Sequence, residues 1–272
     1  MTLEPLQRRV AAILKARRTP NSFVGGAAVL NETRPRVSDD LDIYAEDRPI
    51  AEIAEADIAA LGSEGLKVEW RRDHYGFAIE AQISDGTAST MLEWSEADQE
   101  RFFPVQPHPT FGWALHPLDL AVQKLVAAAT RRQARDVCDL IEIEANGAPL
   151  AALALAAPAK FPGVSPAAML QRARMNAMGL PADDFDALRF DEGVARRPAG
   201  EIKLDFADRV ERAMEALASC PPSAEAGRLY LDPLTLRACA PTDEDLAALE
   251  AVPASRRGAV GRIVARPVSD EI

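Results

Sequence analysis

The chain opens on a helical repeat. Leu6, Val10, Ile13 and Leu14 share one face over residues 3–18, and Pro5 suits a first turn. Arg8, Arg9, Lys15, Arg17 and Arg18 occupy the other face, the pattern of a solvated polar surface. Ser22-Phe23-Val24 predicts a short buried strand that ends in the turn Gly25-Gly26, and Ala27-Ala28-Val29-Leu30 predicts a short helix. Asn31 to Asp39 is polar and broken by Pro35. From Asp40 to Tyr44 polar and apolar residues alternate with the period of a strand. Pro49 opens a helix through Leu61, with Ile50, Ile53, Ala54, Asp57 and Ile58 at helical spacings and Gly62 and Gly65 ending it. Lys67–Arg71, Phe77–Ile83 and Ala88–Trp94 read as three strands, punctuated by Gly76, Asp85-Gly86 and Ser95.

The character changes near Pro104. Pro104, Pro107, Pro109 and Pro117 mark a linker or wrapping loop. From Leu118 the pattern is mostly helical: Leu118–Thr130, Ala134–Ala145, Leu150–Ala157, Pro166–Met178, Leu204–Ala218 and Asp243–Ala251. An extended pair, Arg228–Leu231 and Leu234–Ala238, interrupts it, and one strand is expected around Gly261–Ala265. The expectation is an α/β (α+β) protein: a small mixed-sheet domain over residues 1–112 and a helical domain over 113–272.

Composition narrows the classes. Of 272 residues, 48% are hydrophobic and 27% charged, which excludes a wholly disordered chain. No run approaches the roughly 20 apolar residues of a membrane span, and the N-terminus lacks the layout of a signal peptide. Cys138, Cys220 and Cys239 show neither a disulfide framework nor zinc spacing, so a reducing cytoplasm is the expected location. A net charge of −11 argues against nonspecific nucleic-acid binding. Local basic patches remain, around Arg8–Arg18 and around Arg131, Arg132 and Arg135.

Chemistry concentrates in one stretch. Phe23-Val24-Gly25-Gly26 is followed, thirteen residues later, by Asp40-Leu41-Asp42-Ile43. Residues i and i+2 of a strand face the same side, so Asp40 and Asp42 aim at one point. Adjacent carboxylates repel unless a cation lies between them, and Mg²⁺ (or Mn²⁺) suits two carboxylates plus substrate phosphates. Gly25 and Gly26 let backbone approach a polyphosphate, Ser38 lies on the same face as Asp40, and Arg36 adds a fixed charge suited to phosphate. Glu93, at the end of a strand, is the candidate third carboxylate, with Glu80 on the strand before as the alternative. His74, His108 and His116 lack zinc spacing. Asp183, Asp184 and Asp186 read as turn and cap residues.

These residues resemble the DNA-polymerase-β-like nucleotidyltransferase superfamily, whose pattern is hydrophobic–Gly–Gly/Ser, a spacer, then Asp–hydrophobic–Asp/Glu–hydrophobic. Within it, Arg36-Val37-Ser38-Asp39-Asp40-Leu41-Asp42 is similar to the signature of the AbiEii-type toxins of type IV toxin–antitoxin systems. Pro117–Leu125 with Lys124, then Arg131-Arg132, then Arg135–Leu140 with Asp136, resembles that family's second signature. The resemblance covers residues 20–145. It implies that Lys124 contacts nucleotide phosphates, with Arg131 beside it, and that Asp136 completes the site; the alternative is a structural ion pair between two helices. It implies Asp40 and Asp42 as ligands of Mg²⁺, an NTP as substrate, tRNA or another cellular target as acceptor, and a cognate antitoxin as partner. A small-molecule nucleotidyltransferase and a non-catalytic nucleotide-binding module that retains the fold are the competing readings.

Overall fold

A computed structural model describes residues 3–47, 49–73, 78–97 and 100–258. His74 and the strand expected around Gly261–Ala265 lie outside the described residues. The fold is mixed α/β, as the pattern predicts. Helix α1 (Pro5–Lys15) precedes β1 (Ser22–Gly25), α2 (Gly26–Leu30), β2 (Asp40–Ala45) and α3 (Ile50–Ser63). Then come β3 (Lys67–Asp73), β4 (Ala78–Ser84), β5 (Ser89–Glu96), β6 (Gln106–His108) and β7 (Gly112–Ala114). The helices α4 (Pro117–Thr130), α5 (Ala134–Ala145), α6 (Leu150–Ala156), α7 (Pro166–Met178), α8 (Ala182–Asp186) and α9 (Ala199–Ala218) follow. A two-stranded sheet of β8 (Arg228–Leu231) and β9 (Glu250–Pro253) ends the described chain.

The main sheet has seven strands in the order β3-β4-β5-β2-β1-β7-β6. The central pair β2–β5 is parallel, with Asp42 beside Glu93, and β1 runs antiparallel to β2 with Gly25 beside Asp42. Alternation along β2 separates the two faces. Leu41, Ile43 and Ala45 are buried in the core, whereas Asp40, Asp42 and Tyr44 line a cleft whose far wall is α4.

A buried ion pair locks the opposite face. Asp57 of α3 accepts from Arg18 Nη2 at 2.5 and 2.6 Å, from Arg17 Nε at 3.0 Å and from Trp94 Nε1 at 2.9 Å. Arg17 and Arg18 follow the end of α1, and two cations of the helix itself also donate within the fold: Arg9 to the Glu64 carbonyl and Arg8 to that of Leu3. A second buried pair, Lys160–Asp119 at 2.8 Å, joins the segment after α6 to α4, while Asp119 also accepts from the Phe102 and Phe103 amides. Among the described residues no single helix is long and apolar enough to cross a membrane.

Several expectations need correction. The proline-rich loop contains β6 and β7, and β7 pairs in parallel with β1 through Val24 and Ala114, so the main sheet extends past residue 112. Helix α9 starts at Ala199, five residues before the apolar repeat that announced it. The helix expected over Asp243–Ala251 is a single 3₁₀ turn at Leu246–Ala248, after which β9 pairs with β8. Leu234–Ala238 is not a strand; it touches β8 through the single bridge Leu231–Ala238. Asp183, Asp184 and Asp186 lie within the short helix α8.

Candidate active site

The turn at Gly25-Gly26 is built around Asp42. Gly26 has φ of +64°, which L side chains rarely adopt, and a Cβ there would collide with the Asp42 carboxylate. A Cβ on Gly25 would lie 2.6 Å from the Tyr44 ring and 3.0 Å from Leu115. The two glycines let β1 and α2 close over the Asp-bearing strand.

The resulting cleft is about 330 Å³. Asp40, Asp42 and Glu93 bring three carboxylates to its floor, and Lys124 of α4, Arg131 of the turn after it and Arg135 of the first turn of α5 face them. The strand register explains the floor, since Asp42 and Glu93 are direct neighbours on parallel strands. Glu80 is opposite Glu93 one strand further out and does not line the cleft, so Glu93 is the better placed of the two candidates. Its carboxylate accepts from Ser95 Oγ at 2.8 Å.

Charge crowding has a measurable consequence at Asp42. Desolvation, then the negative charges of Asp40 and Glu93, push its pKa up to about 7 against the opposing pull of Lys124 and Arg135. The cations nearby do not fully offset the carboxylates, so the donor set fits a hard divalent cation: oxygen ligands, excess negative charge and room for substrate phosphate. Among the described residues no three Asp, Glu, His or Cys side chains already converge as a complete metal cage, so phosphate or water oxygens would have to finish the shell. Tyr44 is held protonated far above the ordinary phenol range by burial and the same carboxylates.

The basic wall is held by carboxylates behind it. Lys124 Nζ lies 3.1 Å from Asp136 Oδ1 and 3.0 Å from Asp139 Oδ2. Arg131 forks onto Asp136, with Nε 2.8 Å from Oδ2 and Nη2 3.0 Å from Oδ1. Asp139 also receives Arg36 Nε at 2.6 Å, Arg36 Nη2 at 2.9 Å and Asn31 Nδ2 at 3.1 Å. Both aspartates are buried, and their cationic partners hold their pKa values below the usual carboxylate range despite desolvation.

This arrangement corrects four of the expected site residues. Arg36 does not face the cleft; its side chain is 2% exposed and spent on Asp139. Ser38 is buried and donates to the Asp40 carbonyl at 3.1 Å and to Asp40 Oδ1 at 3.2 Å, so it orients the carboxylate instead of lining the cleft. Asp136 is fully buried and positions Lys124 and Arg131 from behind. Gly25 shapes the turn and is not on the cleft surface. Gly26, Asp40, Asp42, Glu93, Lys124 and Arg131 do meet there. Tyr44, Gln123 and Arg135 also line it and were not singled out as site residues. Tyr44 continues the same-face series from Asp40 and Asp42, and Gln123 precedes Lys124, so both were within reach of the periodicity.

No protein-family model matches the chain, and no curated protein matches it. Among solved structures it is similar to MenT4, a nucleotidyltransferase toxin of Mycobacterium tuberculosis H37Rv, with a TM-score of 0.46 and 13% identity over 78% of this chain and 91% of that one. A tRNA-processing enzyme gives a TM-score of 0.26 at 16% identity, covering 68% of this chain and 59% of the other. The Cid1 poly(U) polymerase gives 0.29 at 14% identity, covering 75% and 68%.

Proposed function

We propose that the protein is a metal-dependent nucleotidyltransferase that moves NMP from an NTP to an acceptor hydroxyl. The observation that carries this reading is the opposition of Asp40, Asp42 and Glu93 to Lys124, Arg131 and Arg135 across one cleft, beside a Gly-Gly turn that admits no side chain. Asp40 and Asp42 would hold Mg²⁺ or Mn²⁺, which would supply charge neutralisation at the triphosphate and acidify the attacking hydroxyl. Lys124 and Arg131 bind the phosphates and stabilise the charge that builds on the leaving group. Gly26 keeps the approach to Asp42 open. Glu93 takes the hydroxyl proton as the acceptor oxygen bonds to the α-phosphorus and the bond to the bridging oxygen breaks, releasing pyrophosphate.

The AbiEii-like motifs support a toxin-type enzyme, with tRNA as the first acceptor to try and a cognate antitoxin as its partner. A nucleic-acid acceptor would meet the exposed Arg132 on the turn beside the cleft, because Arg131 and Arg135 are held by carboxylates at the site and Arg8, Arg9, Arg17 and Arg18 donate within the fold. The test is transfer of label from each α-³²P-NTP, with Mg²⁺, into total tRNA and into a cell lysate, beside the Asp42→Asn protein. Label that requires Asp42 supports the reading. A wild-type protein that neither binds NTP by calorimetry nor transfers label contradicts it and leaves a module without this chemistry.

A further inference from the structure

Both oxygens of Asp40 are engaged by the protein itself. Oδ1 accepts from Ser38 Oγ at 3.2 Å, and Oδ2 accepts from Arg135 Nη1 at 3.2 Å. The two donors differ in freedom. Ser38 is buried beneath Asp40, and Gln7 Nε2 holds its carbonyl at 2.8 Å. Arg135 reaches Asp40 from the first turn of α5 and is 23% exposed. Its Nε donates to Gln133 Oε1 at 2.6 Å, so the root of the guanidinium is anchored while Nη1 reaches the carboxylate. The other cleft cations are fixed elsewhere: Lys124 between Asp136 and Asp139, and Arg131 in a fork on Asp136. Arg135 therefore spends its charge on a carboxylate that a divalent cation would also need.

A divalent ion at Asp40 would remove the charge that holds Arg135 and repel the guanidinium at close range. A triphosphate in the same cleft offers that guanidinium several oxygens in the planar geometry it pairs with best. We infer that Arg135 is an exchangeable counter-ion, neutralising Asp40 in the metal-free protein and passing to a phosphate of the nucleotide when a divalent cation takes Asp40. This inference rests on the nucleotidyltransferase reading and adds a phosphate-binding residue to it. It also makes metal and nucleotide binding cooperative, since each ligand favours the Arg135 position that the other requires.

The test measures binding without turnover. Mn²⁺ affinity is read by electron paramagnetic resonance on nucleotide-free protein, and affinity for a non-reactive α,β-methylene NTP by calorimetry at saturating Mn²⁺. Loss of a partly exposed ion pair corresponds to a change of about two- to fivefold. Arg135→Gln should bind Mn²⁺ tighter by that factor and NTP weaker by a similar one. Arg135→Lys keeps the charge without the Gln133-anchored fork, so it should fall between the two proteins; it carries the test alone if Arg135→Gln does not fold. Opposite signs for the two ligands are the signature, because an arginine that only supports the fold would move both affinities the same way. Mn²⁺ affinity that falls or stays unchanged in both variants overturns the exchange while leaving the nucleotidyltransferase reading intact. A wild-type protein that binds neither Mn²⁺ nor NTP overturns that reading and the exchange with it.

Discussion

Replacing Asp42 by Asn should stabilise the metal-free protein at alkaline pH. In the fold its carboxyl rises from an ordinary 3.8 to about 7, through desolvation and the charges of Asp40 and Glu93. The native state thus holds the proton more tightly than the unfolded chain. Stability falls as pH climbs between those two values, and the loss is complete above about pH 7. The full shift corresponds to about 4 kcal/mol as an upper bound. Asp42 opens onto the cleft, where solvent screens the repulsion, so about 1–3 kcal/mol is expected. At roughly 2–4 °C per kcal/mol for a chain of this size, the gain in Tm is several degrees. The assay is thermal melting of both proteins in EDTA near pH 4.5 and near pH 8. Comparing the two proteins removes the contributions of other titrating groups. The curves should nearly coincide at the lower pH and separate at the higher, with Asp42→Asn the more stable. Added Mg²⁺ should raise the wild type and leave the variant in place. Equal stability at both pH values, or a variant less stable at pH 8, would refute the claim that carboxylate crowding strains this cleft.

The remaining predictions concern the supports of the site. Asp139→Ala strands the buried guanidinium of Arg36 and should cost about 3–5 kcal/mol in urea unfolding, since half a buried ion pair is worse than none. Wild-type stability should also fall as pH drops through the acid range, because Asp136 and Asp139 have lowered pKa values and must protonate; acid titration by circular dichroism follows this. Gly26→Ala should abolish label transfer, because the new methyl meets Asp42, and a melt should record a loss of about 1–3 kcal/mol from the left-handed backbone. His116 is half-buried and stacked on Phe103, accepts from the Leu118 amide, and has its pKa pushed down to about 4 by desolvation. It must fold neutral, so it subtracts stability as pH falls below about 6.5, and His116→Gln should flatten that limb in melts from pH 7 to pH 4.

The floor of the site was legible because it is local. A strand period placed Asp40 and Asp42 on one face, and the Gly-Gly turn announced a close approach that the structure finds at Asp42 itself. Glu93 needed only the guess that its strand adjoins β2. What stayed hidden depends on contacts distant in sequence. Arg36 and Ser38 carry side chains suited to phosphate, yet composition does not reveal direction; Asp139, more than a hundred residues on, draws Arg36 away, and Ser38 turns under Asp40. Strands β6 and β7 have three residues each and sit among prolines, so the pairing of β7 with β1 and of β6 with β7 left no periodic trace. The segment after Pro241 carries an acidic run and leucines that read as a helix, but β8 offers it a partner strand and Pro253 ends it.

A nucleotidyltransferase cleaves between the α- and β-phosphates of an NTP and leaves the nucleotidyl part on an acceptor. Parallel reactions with α-³²P- and γ-³²P-labelled NTP, in Mg²⁺ and with tRNA or lysate, test it most directly. The wild type should leave α-label on the acceptor and release γ-label as pyrophosphate, and Asp42→Asn should do neither. Label from the γ-position on the acceptor, or α-label transfer that survives in Asp42→Asn, would contradict it.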